Sequence, residues 1–287
     1  MPTSSQTLRY LLTALLCFLP SSVALSASLN DIEAVPHLDK SGKNSYQEFL
    51  MSNKHRAFAI SPGGTWGWKG GESSPEAAAE EALLACQLET EQKCVLYASN
   101  DNLVFDNKVW ATLWGPYLNQ VSAKHSPVGT ERGARFYDLA FKDAAGKTKR
   151  ISELRGKVVL LHFWGSWCPP CQRELPELQK LQQSLRKSPD IKMVLLQVRE
   201  DFSTSRKAIA HQQLNLILHD SGSKNTTDDT LRLSDGRTLH DRDVAAVFPT
   251  TYILDKQGIV LFSHTGPVSD WLEYLPFLRD AASKSGK

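Results

Sequence analysis

A run of apolar residues that ends in two closely spaced cysteines constrains this chain more than any other feature. The run, Lys157 to Phe163 (KVVLLHF), is almost uninterrupted, which is typical of a strand buried on both faces of a largely parallel sheet. It continues directly into Trp164 to Cys171 (WGSWCPPC), and residues 172–188 follow with leucines repeated along one helical face. The sequence therefore predicts that the two cysteines lie where a central strand passes into the N-terminus of a helix.

Cys168 and Cys171, separated by two residues, can switch between a dithiol and a small-ring disulfide. Unsatisfied backbone N–H groups and the helix dipole stabilise a thiolate at a helix N-terminus, so Cys168 is predicted to have a lowered pKa and to be the nucleophile. A zinc or copper site would need further thiol or imidazole ligands at ligand spacing, and the sequence offers only this close pair. A purely structural disulfide is the other alternative, but Trp167 and the two intervening prolines favour a shaped active-site turn. We therefore predict redox exchange, with no metal and no cofactor.

The residues around the cysteines match a known family. Gly156 to Pro176 (GKVVLLHFWGSWCPPCQRELP) resembles the TlpA/ResA-like branch of the thioredoxin superfamily. The preceding Ser152 to Gly156 is a typical entry, Pro176 sits where these folds kink the active-site helix, and Phe248 to Asp255 (FPTTYILD) resembles the strand that carries the cis-proline loop. The resemblance covers about residues 130 to 282. It implies an α/β thioredoxin-like fold, a central mixed sheet with helices on both faces, preceded here by a small α+β domain.

The resemblance also implies a mechanism. Pro249 would be cis, and Phe248 would present its backbone to a substrate segment beside Trp167 and the cysteines. Cys168 would attack a protein disulfide, and buried Cys171 would resolve the mixed disulfide; the reverse steps would oxidise a substrate dithiol. The family favours the reducing direction, with electrons from a membrane thiol carrier of the DsbD/CcdA kind.

Two other functions remain open on the sequence. A disulfide oxidase or isomerase would carry the same motif, because direction depends on reduction potential and partner geometry. A protein of a different class would use its N-terminal domain for binding or assembly, with the cysteine pair incidental.

His162 departs from the family pattern. It stands where thioredoxins carry a buried acid beneath the active site and where TlpA/ResA-like proteins commonly have another polar residue. A neutral imidazole there could accept the proton of Cys171 during resolution. The alternative, slightly favoured by the sequence, is a core histidine bonded to a backbone carbonyl.

The N-terminus predicts export. Arg9 precedes an apolar stretch that Pro20 interrupts, and small residues follow, so residues 1–27 are predicted to be a cleaved signal peptide. An uncleaved anchor, or a lipoprotein at Cys17, are the alternatives. We expect a periplasmic protein that is soluble, with no stable membrane insertion, after signal cleavage. The formal net charge of +2, with both signs interspersed, gives no indication of a nucleic-acid partner.

The length of 287 residues favours two domains. Residues 31–120 are predicted to form the small α+β domain, with one helix opening at Ser45 to Glu48 and another over Pro75 to Glu89. Residues 57–104 of this domain are similar to a compact module of exported bacterial proteins, which implies no activity. Residues 121–131 are the predicted linker, and residues 132–287 the thioredoxin-like domain.

Cys86 and Cys94 are predicted to form a structural disulfide between that second helix and the next strand, which would stabilise a domain with a small core. The alternative is a second redox pair that relays electrons to Cys168 and Cys171. In the C-terminal domain, the polar segment Asp220 to Arg242 precedes Pro249 and could form a substrate-facing loop.

Overall fold

The computed structural model describes residues 28–90, 92–106, 113–114 and 117–286. The predicted signal peptide, residues 1–27, lies outside the described residues. Within these ranges, no helix combines the length and the apolar character needed to cross a membrane.

In the part of the N-terminal domain that the structure describes, a short 3-10 helix, Ile32–Ala34, precedes the main elements, which are α1 (Lys40–Met51), β1 (Ala57–Ile60), β2 (Trp66–Lys69), α2 (Pro75–Leu88), β3 (Val95–Ser99) and β4 (Asn102–Leu103). The strands form an antiparallel sheet in the order β2-β1-β3-β4.

Helix α1 begins at Lys40 and not near Ser45, so the expected start of this helix is wrong. The side chain of Asp39 accepts a hydrogen bond from the Gly42 N–H at 2.7 Å and caps the helix earlier in the polar segment. Gly42 is buried, and a Cβ at this position would lie 2.7 Å from the Trp66 ring. The glycine, a poor helix former, is thus used here to bring α1 close to β2.

Cys86 and Cys94 form a disulfide that joins the end of α2 to the start of β3, with a Cα–Cα distance of 6.1 Å. Both cysteines are buried in a small cluster with alanines of α2 and β1. Helix α2 lies directly on β2: a Cβ on Gly67 would come within 2.3 Å of the Cys86 backbone nitrogen, so only glycine allows this approach. The disulfide therefore fixes a helix that packs through small residues and buries little apolar surface of its own.

The C-terminal domain is built on a five-stranded mixed sheet in the order β13-β12-β7-β8-β9. Strand β7 pairs with β8 in parallel and with β12 antiparallel, and every residue of β7 is buried. This is a thioredoxin-like sheet with helices packed against it, so the predicted fold class is confirmed. The elements are α3 (Gln120–His125), β5 (Ala140–Lys142), β6 (Thr148–Arg150), β7 (Val158–Trp164), α4 (Pro169–Ser184), β8 (Ile191–Gln197), α5 (Phe202–His211), β9 (Leu218–His219), β10 (Thr230–Arg232), β11 (Thr238–His240), β12 (Thr250–Leu254), β13 (Val260–Thr265) and α6 (Leu275–Lys284), with 3-10 helices at Ile151–Leu154, Asp241–Asp243 and Trp271–Tyr274.

The two domains share one hydrophobic core. The ring of His37 stacks on Tyr274 with centroids 4.2 Å apart, and Trp114 stacks on Phe277 at 4.7 Å. Helix α3 occupies part of the segment expected to be a linker, and the side chain of Asn119 caps it through the Ser122 N–H. The N-terminal domain is therefore packed against β13 and α6, not tethered at a distance.

The polar segment ahead of the cis-proline loop contains a hairpin, β10–β11, turned at Gly236. Its end is fixed by Asp241, which is 1% exposed and receives two hydrogen bonds from the Arg199 guanidinium at 2.6 and 2.7 Å. This bidentate pair connects the hairpin to the end of β8.

Candidate active site

Cys168 and Cys171 form a disulfide at the junction of β7 and α4, with Cα atoms 5.3 Å apart. Cys168 is the N-cap residue of α4, and its Sγ accepts a hydrogen bond from the Cys171 N–H at 3.3 Å. Cys168 is 4% exposed, whereas Cys171 is fully buried. The two cysteines are therefore unequal: Cys168 keeps slight exposure and lies at the positive end of the helix dipole, whereas Cys171 has no exposure.

The loop before β12 lies opposite the disulfide. Its Phe248–Pro249 peptide bond is cis, and the carbonyl oxygen of Phe248 is 3.6 Å from the Cys168 Sγ. The Trp167 ring contacts the Phe248 ring edge-on, with centroids 5.4 Å apart, and the Trp167 side chain is 39% exposed. The structure thus brings the residues singled out for substrate binding, Trp167, Phe248 and Pro249, around Cys168.

Glu200, a residue that the sequence did not suggest, holds the active-site turn. Its carboxylate accepts hydrogen bonds from the Ser166 N–H at 2.9 Å, from the Ser166 hydroxyl, and from the Ser205 hydroxyl at 2.6 Å. Glu200 is 4% exposed. The indole N–H of Trp167 donates to the Val198 carbonyl at 2.9 Å, so two neighbouring residues of the turn are fixed to the segment after β8.

His162 lies beneath the active site on β7 and is fully buried. Its Nδ1 is 2.8 Å from the Thr251 hydroxyl, so the expected bond to a backbone carbonyl is absent at this nitrogen. Burial lowers the pKa of His162 to about 3, with a smaller contribution from His264. The imidazole is therefore neutral at physiological pH, and its Nε2 has no hydrogen-bond partner among the described residues.

Glu174 is a second buried acid that the sequence reasoning missed. Its Oε1 accepts hydrogen bonds from the Trp271 indole at 2.6 Å and the Val268 N–H at 3.0 Å, while its Oε2 lies 3.8 Å from the His162 Nε2. Burial raises the pKa of Glu174 to about 8, against these two hydrogen bonds. The sequence did contain a signal for Glu174: a residue three positions after Cys171 in a helix lies on the same side of that helix, about one turn further on.

This arrangement suits two-electron thiol chemistry. Cys168 caps the helix and is slightly exposed, Cys171 is enclosed, and two buried titratable groups on the same strand and helix lie 3.8 Å apart. Among the described residues, no group of three or more histidine, cysteine, aspartate or glutamate side chains is placed to hold a metal ion.

The C-terminal domain is similar to known proteins. Residues 133–263 match the AhpC/TSA family. The chain is 29% identical over 143 residues to the thioredoxin-like protein YneN of Bacillus subtilis, covering 50% of this chain and 76% of that protein. It is 26% identical over 153 residues to the thiol-disulfide oxidoreductase ResA of Halalkalibacterium halodurans, covering 52% of this chain and 78% of that protein. The crystal structure of StoA from Bacillus subtilis aligns with 51% of this chain and 98% of its own, at 23% identity and a TM-score of 0.38.

Proposed function

We propose that the chain, whose residues 133–263 match the AhpC/TSA family and whose relatives include thiol-disulfide oxidoreductases, is exported and reduces protein disulfides through Cys168 and Cys171. The observation that carries the proposal is the inequality of the two sulfurs: Cys168 caps α4 beside the cis-proline loop, and Cys171 is enclosed behind it.

The reaction starts from the dithiol form. The Cys168 thiolate attacks one sulfur of a substrate disulfide, forms a mixed disulfide, and releases the other substrate sulfur as a thiolate that takes up a proton. Cys171 then loses its proton and attacks the Cys168 sulfur, which releases the second substrate thiol. Two electrons pass from the enzyme dithiol to the substrate, and the Cys168–Cys171 disulfide remains.

Resolution needs an acceptor for the Cys171 proton. His162 is the proposed acceptor, because its Nε2 has no hydrogen-bond partner among the described residues. Burial lowers its pKa to about 3 and opposes a lasting imidazolium, so the proton passes on to the Glu174 carboxylate 3.8 Å away. Glu174 lies three residues after Cys171 on α4, and burial raises its pKa to about 8, so its carboxylate is a stronger base than an ordinary one. Trp167, Phe248 and Pro249 form the surface that receives the substrate segment.

The reducing direction and the periplasmic location are proposed from the ResA-like character of the relatives and the leader-like N-terminus. A membrane dithiol carrier of the DsbD/CcdA kind would then return the enzyme to its dithiol form.

Export is tested by N-terminal sequencing of the mature protein from the periplasm, which should begin after residue 27 or close to it. A measured reduction potential near −270 mV would support a reductant, and one near −120 mV would favour an oxidant instead.

Insulin reduction with dithiothreitol as electron donor tests the activity. We expect turbidity to develop far sooner with the wild-type protein than with Cys168→Ser, and equal rates would refute the enzymatic function. Cys171→Ala should stall at the mixed disulfide, so affinity purification from periplasmic extract followed by reduction would release the natural substrates and, if present, the carrier.

A further inference from the structure

A groove between the two domains opens at the edge of the candidate active site. Its cavity volume is about 540 Å³, within the size range of functional binding sites. One wall comes from residues 33–43 of the N-terminal domain and the other from residues 264–274, together with Val247. We call this cavity the interdomain groove.

The groove continues the surface around Cys168. Val247, which lines it and is 54% exposed, immediately precedes Phe248 and the cis bond. On the opposite side, the Gly266 N–H donates to the Pro249 carbonyl at 2.8 Å, so a second lining residue is bonded to the same loop. The groove is therefore contiguous with the cis-proline loop beside Cys168.

The lining of the groove is apolar at its base and acidic at its rim. Buried Val35, Leu38, Val268 and Tyr274 form the apolar part. The charged side chains that line it are Glu33, Asp39, Asp270 and Glu273, against Lys40 and Lys43.

This balance leaves the groove negative. Lys43 is engaged by Glu33 in an ion pair at 2.5 Å. Burial lowers the pKa of both His37 and His264 to about 4, so neither imidazole adds positive charge at neutral pH. Burial, and next the neighbouring Asp270, raise the pKa of Glu273 and so oppose its charge; the excess of negative charge comes first from Asp39 and Asp270 against Lys40.

We propose that the interdomain groove binds the extended segment of a protein substrate next to its reactive cysteine, and that it selects segments with apolar and basic side chains. The inference rests on the proposed function, since it assigns substrate recognition at the same site. It gives the N-terminal domain a role: residues 33–43 form a wall that the thioredoxin-like domain does not supply. A segment of four residues spans about 13 to 14 Å, which sets how far from the cysteine the charged side chains of a test peptide are placed.

Two peptides test the selectivity. Each contains one cysteine in a mixed disulfide with a chromophoric thiol, followed by Leu and Val and then by either two lysines or two glutamates. The wild-type dithiol should react with the lysine peptide with a kcat/KM about tenfold higher than with the glutamate peptide at low ionic strength, and salt should reduce this ratio. The double variant Glu33→Lys/Glu273→Lys should abolish or invert the ratio, because it reverses the charge of two side chains that line the groove. Neither side chain caps a helix, so the fold should be retained. The matched control is Glu80→Lys, an exposed reversal on α2 that lines none of the groove.

The outcomes separate the two proposals. If wild-type protein fails to reduce bis(2-hydroxyethyl) disulfide, the oxidoreductase function fails. If it reduces this small disulfide but shows no preference between the peptides, or if the preference survives Glu33→Lys/Glu273→Lys, the groove proposal alone is overturned. Sedimentation that reveals a dimer dissociated by the same double variant would assign the groove to a second copy of the chain and would also overturn it.

Discussion

The carboxylate of Glu174 lies 3.8 Å from the imidazole of His162, and both side chains are buried. Within the described residues, the facing atoms, Oε2 and Nε2, have no hydrogen-bond partner. The pKa of the acid is raised to about 8 and that of the imidazole is lowered to about 3, in both cases mainly by burial. The neutral forms are therefore favoured at pH 7: the Glu174 carboxylate can take up a proton and become neutral, whereas a proton added to the neutral pair would place a positive charge in the core.

His162→Ala tests whether the imidazole takes part in resolution. We expect the mixed disulfide to form at the wild-type rate and to resolve on the order of tenfold or more slowly, with a shifted pH profile, because the proton acceptor is lost. Rapid-mixing measurements with a fluorescent disulfide substrate separate the two steps. Thr251→Val is the control, since it removes the 2.8 Å contact at Nδ1 but keeps the imidazole. Identical rates and pH profiles for His162→Ala and wild type would leave His162 as a core histidine only.

Glu174 should make stability depend on pH in a defined direction. Its pKa is raised from 4.5 to about 8 in the folded protein, so the folded state binds the proton more tightly than the unfolded state. The resulting stabilisation is complete below about pH 4.5 and is lost as pH rises through about 8. Glu174→Gln removes this dependence, so the unfolding free energy of wild type relative to the variant should fall by on the order of a few kcal/mol between pH 5 and pH 8. Urea unfolding of both proteins at several pH values measures it, and parallel curves would contradict the raised pKa.

The Cys86–Cys94 disulfide should contribute to stability and not to electron transfer. The bond closes a short loop of sequence separation 8, for which chain entropy predicts about 2 to 3 kcal/mol. Cys86→Ala/Cys94→Ala should therefore unfold at lower denaturant concentration, yet reduce insulin at the wild-type rate below its unfolding transition. A loss of turnover in the folded variant would instead favour the second redox pair that the sequence left open.

The sequence predicted the elements whose signals are local. The uninterrupted apolar run of β7 and the cysteine spacing placed the site at a strand-to-helix junction, and that is where Cys168 caps α4. The partner of His162 could not be predicted, because Thr251 is 89 residues away and reaches it only through the pairing of β12 with β7. The start of α1 was misplaced for a related reason. A glycine is typical of a loop in sequence, and Gly42 is favoured inside the helix only because Trp66, 24 residues later, packs against it.

The Glu200 carboxylate should control the geometry of the active-site turn, since it binds both the N–H and the hydroxyl of Ser166 from a position 34 residues away. Glu200→Ala leaves these groups and the Ser205 hydroxyl unsatisfied in a buried site, which should cost about 1 to 3 kcal/mol and loosen the turn. We expect kcat/KM for insulin to fall severalfold, with a larger effect on KM than on kcat because Trp167 is displaced from the substrate surface. Glu200→Gln should restore most of the lost kcat/KM, since its amide can accept from the Ser166 N–H and donate to the hydroxyl.

Hydrogen exchange at residues 165–168 reads out the turn directly, whereas the fluorescence of Trp167 overlaps with that of six other tryptophans. Exchange should accelerate in Glu200→Ala and return toward the wild-type rate in Glu200→Gln. Unchanged exchange in Glu200→Ala would show that the turn holds its shape without this carboxylate.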